Sequence, residues 1–241
     1  MRRDDVEVLH FDQAPADLSG RRWTALAAEG WTTAGVIEVL QPLVHERRSV
    51  RIQEVLAQRL ASVVVVLDAP HDPHNGAAIL RSCDAFGLQH LYVVERLEPF
   101  ALSARVAQGT ERWVNVHRAK DPSTTIEELH RGGFELIATH TQGTLLPEDL
   151  TAIPRLALVL GNEREGICHQ LAQAAQRSVR VPMRGFVESL NVSVSAGILL
   201  AAATQGRVGD LSPNARQRLY AEGLMRTVSR SADILRASKP R

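Results

Sequence analysis

VVVVLDAPHDPHNGAAILRSCDAF, residues 63–86, decides the fold. Val63–Leu67 is an apolar run with no polar alternation, the pattern of a strand buried on both faces. A turn rich in Pro, His and Asp follows, and a helix is expected from Asn75 to Phe86. Strand, loop and helix in that order make the first part of a βαβ unit. Outward from it, Leu91–Val94, Phe134–Thr139, Leu156–Leu160 and Ser178–Val181 read as further strands. Helices are expected over Ile126–His130, Gln170–Ala175 and Asn191–Gln205. Continuously apolar strands alternating with helices predict an α/β core over about residues 60–205, a parallel sheet with helices on both faces.

The flanks read differently. Residues 1–45 place Pro15, Gly20, Gly30, Gly35 and Pro42 between short apolar stretches, which predicts an N-terminal extension with one or two short helices. From Val44 to Leu60 an apolar stripe (Val44, Ile52, Val55, Leu56, Leu60) marks a helix, with Arg47, Arg48, Arg51 and Arg59 on its other faces. The expected division is therefore an extension at 1–45, a core domain with its basic helix at 46–205, and a basic helical tail at 206–241.

Of the 241 residues, 28 are cationic and 27 acidic, for a net charge of +1. The cations comprise 26 arginines with only Lys120 and Lys239. Charge is segregated: the tail from Gly206 holds eight cations against three acids, a net +5, which leaves −4 for the rest. Arginine grips phosphate through a two-pronged fork, so near-neutrality overall does not exclude nucleic acid. With ten aromatic residues in all, stacking of bases on rings is not the expected main contact. Two cysteines, Cys83 and Cys168, exclude a disulfide framework and point to a reducing cytoplasm. Apolar runs such as Val63–Leu67 are far short of a membrane span, and the N-terminus lacks a signal-type apolar stretch, so no membrane partner is expected.

Ligands of doubly wound α/β proteins gather where strands end in loops. Three such loops stand out: Asp68–Arg81 (DAPHDPHNGAAILR), Gly161–Gly166 (GNEREG) and Val181–Ser193 (VPMRGFVESLNVS). Asn75 is placed to cap the helix of the first loop, and Glu163 the helix after the second. GNEREG has the glycine spacing of a P-loop, but Ile167 stands where the phosphate-binding lysine belongs. No GxGxxG occurs, which argues against a Rossmann-type dinucleotide or methyl-donor site. Without a P-loop lysine or a nucleophile elbow, a nucleotide-hydrolysing or small-molecule α/β hydrolase is disfavoured. His71 and His74 lack further ligands, and no metal is expected.

Taken together and in order, Asn75-x5-Arg81, Gly161-x-Glu163-x2-Gly166 and Ser189-Leu190-Asn191-Val192-Ser193 resemble the three signature motifs of the SpoU/TrmH methyltransferases of the SPOUT superfamily. The match runs over roughly Val44–Met225, and within the family it is strongest to the tRNA (guanosine(18)-2′-O)-methyltransferases. The resemblance implies an α/β fold with a deep trefoil knot in its C-terminal part, a homodimer, and S-adenosylmethionine as methyl donor to a ribose 2′-hydroxyl of RNA. Such knots are rare exceptions among folds. By position, Thr139, Gly161, Val181, Met183 and Leu190 would surround the donor. Asn75, Arg81, Glu163, Ser189 and Asn191 would form the catalytic neighbourhood. The family reading gives Arg81 the activation of the 2′-hydroxyl. Clamping an adjacent phosphate is an equally good account, since guanidinium rarely yields its proton. Arg47, Arg48, Arg51, Arg59 and Arg207 are the expected RNA phosphate contacts. The sequence departs from the tRNA-modifying pattern at Asp72, Glu188 and Gln205, where Lys, Gln and Arg are common. Ribosomal RNA as substrate and a non-catalytic RNA-binding module are the alternatives. The intact Asn75, Arg81, Glu163 and Asn191 speak against the second.

Overall fold

The computed structural model describes residues 28–97, 99–101 and 103–238. Most of the expected N-terminal extension, residues 1–27, and the tail cations Lys239 and Arg241 lie outside the described residues. The chain opens with α1 (Thr33–Leu40) and α2 (Glu46–Ala57). The central part then runs β1 (Leu60–Asp68), α3 (Pro73–Ala85), β2 (Leu88–Val94), α4 (Ala104–Ala107), β3 (Asn115–Ala119), α5 (Pro122–Arg131), β4 (Glu135–Thr139), β5 (Leu156–Leu160), α6 (His169–Ala174), β6 (Arg177–Val179) and α7 (Val192–Ala203). A 3₁₀ turn, Pro147–Ala152, bridges β4 and β5. Two further helices, α8 (Pro213–Thr227) and α9 (Ser231–Ser238), end the chain. None of the described helices is long and apolar enough to cross a membrane.

The described residues form two compact units, one of residues 28–59 with 209–238 and one of residues 60–208. This differs from the expected division, which joined the basic helix to the core. Within the smaller unit, α2 buries Ser49, Ile52 and Leu56 on one face and packs against α8, where the Ser49 hydroxyl pairs with Tyr220 Oη. Arg59 sits just past α2 and is only 2% exposed, so it is not the surface phosphate contact expected of it. Its carbonyl accepts from Asp210 N at 3.0 Å, and the chain turn that buries this backbone carries the side chain inward. Part of the tail's positive charge is met locally: Arg218 and Arg226 flank Glu222, and Arg230 pairs with Asp233 at 3.0 Å.

The larger unit holds a six-stranded, all-parallel sheet in the order β3-β2-β1-β5-β4-β6. Alternation along the strands sorts the layers. Val63, Val65 and Leu67 join Ile79, Leu80, Leu199 and Leu200 in one buried cluster, so α3 and α7 cover that face. On the opposite face Tyr92 of β2 donates to Glu128 of α5 at 3.1 Å. Burial, with Glu128 alongside, pushes the Tyr92 phenol far above its ordinary range. Strand β3, NVHRA, is absent from the sequence reading. It is a half-exposed edge strand with a polar composition, so it lacks the apolar run that marked the others.

Strand β6 is hydrogen-bonded along both edges. It pairs with β4 on one side. On the other, Leu145 N donates to Ser178 O at 2.9 Å and Arg180 N to Leu145 O at 3.0 Å. The segment leaving β4 therefore wraps around β6 before the chain returns to β5. Gly143 makes the wrap possible: a Cβ there would run into the Val179 and Arg180 backbone.

Candidate functional site

After β1 the chain turns toward β2, and after β5 it turns toward β6, on the other side of the sheet. The loops leaving these two adjacent strands diverge, which opens a crevice at the carboxyl ends of the strands. Both of the first two motif loops start here.

The helix after the first loop is capped by Asp72, whose Oδ1 accepts from His74 N at 2.8 Å. Asp72, and not Asn75 as expected, is thus the cap. Asn75 is free to turn its amide outward. Its Nδ2 donates to Glu163 Oε1, and its Oδ1 accepts from Asn191 Nδ2 at 3.0 Å. Asn191 caps α7 through its own Oδ1, which accepts from Ser193 N at 2.8 Å and Ser193 Oγ at 2.6 Å. The cap commits the Asn191 oxygen to α7, so its amide nitrogen must face Asn75. That in turn aims the Asn75 nitrogen at the Glu163 carboxylate. One directional hydrogen-bond chain, Ser193 to Asn191 to Asn75 to Glu163, joins all three motif loops.

Glu163 is carried on a tight turn and does not cap α6, whose N-cap, Cys168, makes no side-chain capping bond. Asn162 Oδ1 accepts from Arg164 N at 2.9 Å and Glu165 N at 2.7 Å, and Asn162 and Gly166 exchange backbone bonds of 3.1 and 3.2 Å. At the neck of this turn only glycine fits at 161. A Cβ would collide with the backbone of Gly166 and Ile167.

A cavity of about 420 Å³ lies against these loops, within the roughly 300–1,000 Å³ usual for small-molecule sites. Thr139, Gly161, Val181, Met183 and Leu190 all line it, as do Glu163, Ser189 and Asn191. Thr139 is oriented by donating Oγ1 to Val159 O at 3.0 Å. Asn75 meets the site through Glu163 and Asn191 and does not itself line the cavity. Asn162 and Arg180, neither expected, also line it. Asn162 lay inside GNEREG, where an Asn after Gly signals a side-chain-closed turn. For Arg180, following a short strand, the sequence held no signal.

Two expected groups stand elsewhere. Arg81, six residues beyond Asn75 on α3, is rotated about 240° round the helix. It is exposed and donates to Val106 O at 3.3 Å. Arg207, expected on the RNA face, is committed to the protein's own backbone. It donates to Ala203 O at 2.7 Å, Ile153 O at 2.5 Å, Pro154 O at 3.0 Å and Leu150 O at 3.2 Å. Carbonyls left bare where α7 and the 3₁₀ turn end need a donor, and a guanidinium fork can serve both ends. Arg47, Arg48 and Arg51 are exposed on α2, Arg51 pairing with Glu54 at 3.6 Å.

Residues 62–201 match the model of the SpoU rRNA Methylase family. A tRNA (guanosine(18)-2′-O)-methyltransferase of Aquifex aeolicus is 32% identical over 171 residues, 70% of this chain and 81% of that protein. The crystal structure of the A. aeolicus TrmH/SpoU tRNA modifying enzyme superposes with a TM-score of 0.70 at 29% identity, covering 77% of this chain and 98% of that one. The SpoU methyltransferase AviRb from Streptomyces viridochromogenes, in complex with the cofactor AdoMet, gives 0.55 at 25% identity over 63% of each chain.

Proposed function

This chain belongs to the SpoU rRNA methylase family, and on that premise we propose that it transfers a methyl group from S-adenosylmethionine to the ribose 2′-hydroxyl of guanosine 18 in tRNA. The observation that carries the reading is the hydrogen-bond chain ending on Glu163 at the wall of the cavity. It makes the three motif loops one constellation, where a fold built only for packing has no use for it. The A. aeolicus relative is a tRNA (guanosine(18)-2′-O)-methyltransferase, which favours tRNA over ribosomal RNA and an enzyme over a binding module.

The cavity suits the donor. Leu160, Val181 and Met183 supply apolar wall, Gly161 lets backbone approach closely, and Glu163 brings a carboxylate to a site for a cation. When bound, the donor supplies an electrophilic methyl carbon on a sulfonium. The protein's task is then mostly alignment, because an in-line displacement gains most of its rate from position. Asn75 and Asn191 hold Glu163, and Ser189 stands at the same wall. Arg81, a permanent cation exposed on α3 that does not line the cavity, is assigned an RNA phosphate next to the target ribose. Arg47, Arg48 and Arg51 give salt-dependent affinity without sequence choice. The reaction is assigned to the cytoplasm.

Two structural features belong to the proposal. The double-edged pairing of β6 inside the β4–β5 connection supports the deep knot. An exposed apolar stripe on α7, Val194 at 49% and Ile198 at 39%, supports a homodimer, since such stripes mark subunit contacts.

The test is methyl incorporation from labelled S-adenosylmethionine into total tRNA and into ribosomal RNA. Label in tRNA at a single guanosine is expected; label confined to ribosomal RNA would overturn the substrate. Arg81→Ala is expected to lose turnover by on the order of 100-fold or more while calorimetry shows donor binding retained. Wild-type turnover in that variant removes Arg81 from the mechanism.

A further inference from the structure

Asp68 ends β1 with its side chain completely shielded from water. The backbone beyond it is held in a costly shape: Ala69 sits at φ 46, fastened by its N–H to Val94 O at 2.9 Å. Both Asp68 oxygens are engaged. Oδ1 accepts from Arg96 Nε at 2.8 Å, and Oδ2 accepts from the Cys168 backbone N–H at 2.6 Å. Arg96, one-fifth exposed, sends its Nη2 on to Glu165 Oε2 at 2.9 Å. Glu165 and Cys168 stand on either side of Gly166, on the turn that carries Glu163.

Asn162 sets the internal shape of this turn but not its direction. Direction comes from outside, through Arg96 on one limb and Asp68 on the other. We infer that Arg96, seated by Asp68, is a positioning residue that aims the Asn162–Gly166 turn and with it Glu163. The inference rests on the methyltransferase reading for its catalytic consequence. Arginine is required because one rigid fork must reach two carboxylates at once. Asp68 is fully shielded and Arg96 one-fifth exposed, so deleting Arg96 would strand a buried carboxylate and damage the fold. Gentler changes separate aim from folding.

Arg96→Lys keeps the cation beside Asp68 but gives up the fork. Glu165→Gln weakens the outer anchor on a side chain that is about half exposed. In both variants amide hydrogen exchange over residues 161–168 is expected to speed up by on the order of tenfold. Turnover at saturating donor and RNA is expected to fall about 10- to 100-fold, with Tm, donor affinity by calorimetry and the RNA KM near wild type. The double variant is expected to be no slower than the worse single variant, as for two groups acting through one contact. Unchanged exchange in both variants overturns the proposal, and so does faster exchange with wild-type turnover. A parallel loss of Tm and donor affinity makes Arg96 a fold residue and also overturns it. If the wild-type chain itself neither binds donor nor methylates RNA, the functional reading fails, while the exchange comparison still decides the clamp.

Discussion

At the scale of single residues, two asparagines do work that their positions alone would assign to capping. Asn191 spends its oxygen on the start of α7 and its nitrogen on Asn75, so a structural cap also orients a site side chain. Asn75 is spared that duty because Asp72, three residues earlier, caps α3. Both Asp and Asn are good caps, and sequence spacing does not say which one the helix start selects. Arginine shows the same limit: Arg47, Arg48 and Arg51 meet water, while Arg59 is buried and Arg207 ties down carbonyls. Gly161 yields the sharpest residue-level prediction. A Cβ there meets backbone that cannot rotate away, so Gly161→Ala is expected to destabilise the protein by about 1–3 kcal/mol in denaturant unfolding. It is also expected to weaken donor binding by on the order of tenfold, read by calorimetry, because the added Cβ displaces the Gly161 backbone that itself lines the cavity.

Elements differ in how plainly they announce themselves. The strands β1, β2, β4 and β5 each contain an apolar run buried on both faces, and a run of that kind is visible in any window. The edge strand β3 has one fully buried residue in five, and its ladder partner, not its composition, makes it a strand. Strand β6 is shorter than expected, since beyond Val179 the chain departs into the loop that lines the cavity. Helix α5 offers a test of capping by charge. Asp121 Oδ1 accepts from Ser123 N at 3.0 Å and Oδ2 from Ser123 Oγ at 2.6 Å, and these bonds hold its carboxyl below the ordinary value of 3.8. A depressed carboxyl contributes stability above its unfolded pKa and loses it as pH falls through the folded one. Asp121→Ala is therefore expected to lower Tm at pH 7 by a small amount, and the gap to wild type is expected to close below about pH 4. A gap that persists at pH 2 would show that packing, not the charged cap, is what the substitution removed.

At the scale of the whole molecule, the strand order creates the site: β1 and β5 are neighbours whose following loops run opposite ways. The same α7 that roofs the core also leaves Val194 and Ile198 to solvent, one turn apart on one face. Gly197 between them opens onto empty space. If that face meets a second copy, Ile198→Glu is expected to raise the dimer dissociation constant by on the order of tenfold or more. Sedimentation would read this as a shift toward single chains; a wild-type protein that is already monomeric at micromolar concentration would rule the interface out. By itself the sequence determined a parallel α/β core, the positions along the chain of its principal strands and three polar loops at their ends, because local apolar runs report burial directly. Only the tertiary structure decided that the three loops converge on one hydrogen-bond chain, that β6 passes between β4 and its own outgoing segment, and which arginines face water. Those outcomes depend on pairings between groups 116 residues apart and more, and no local pattern of side chains encodes which distant partner a polar group will find.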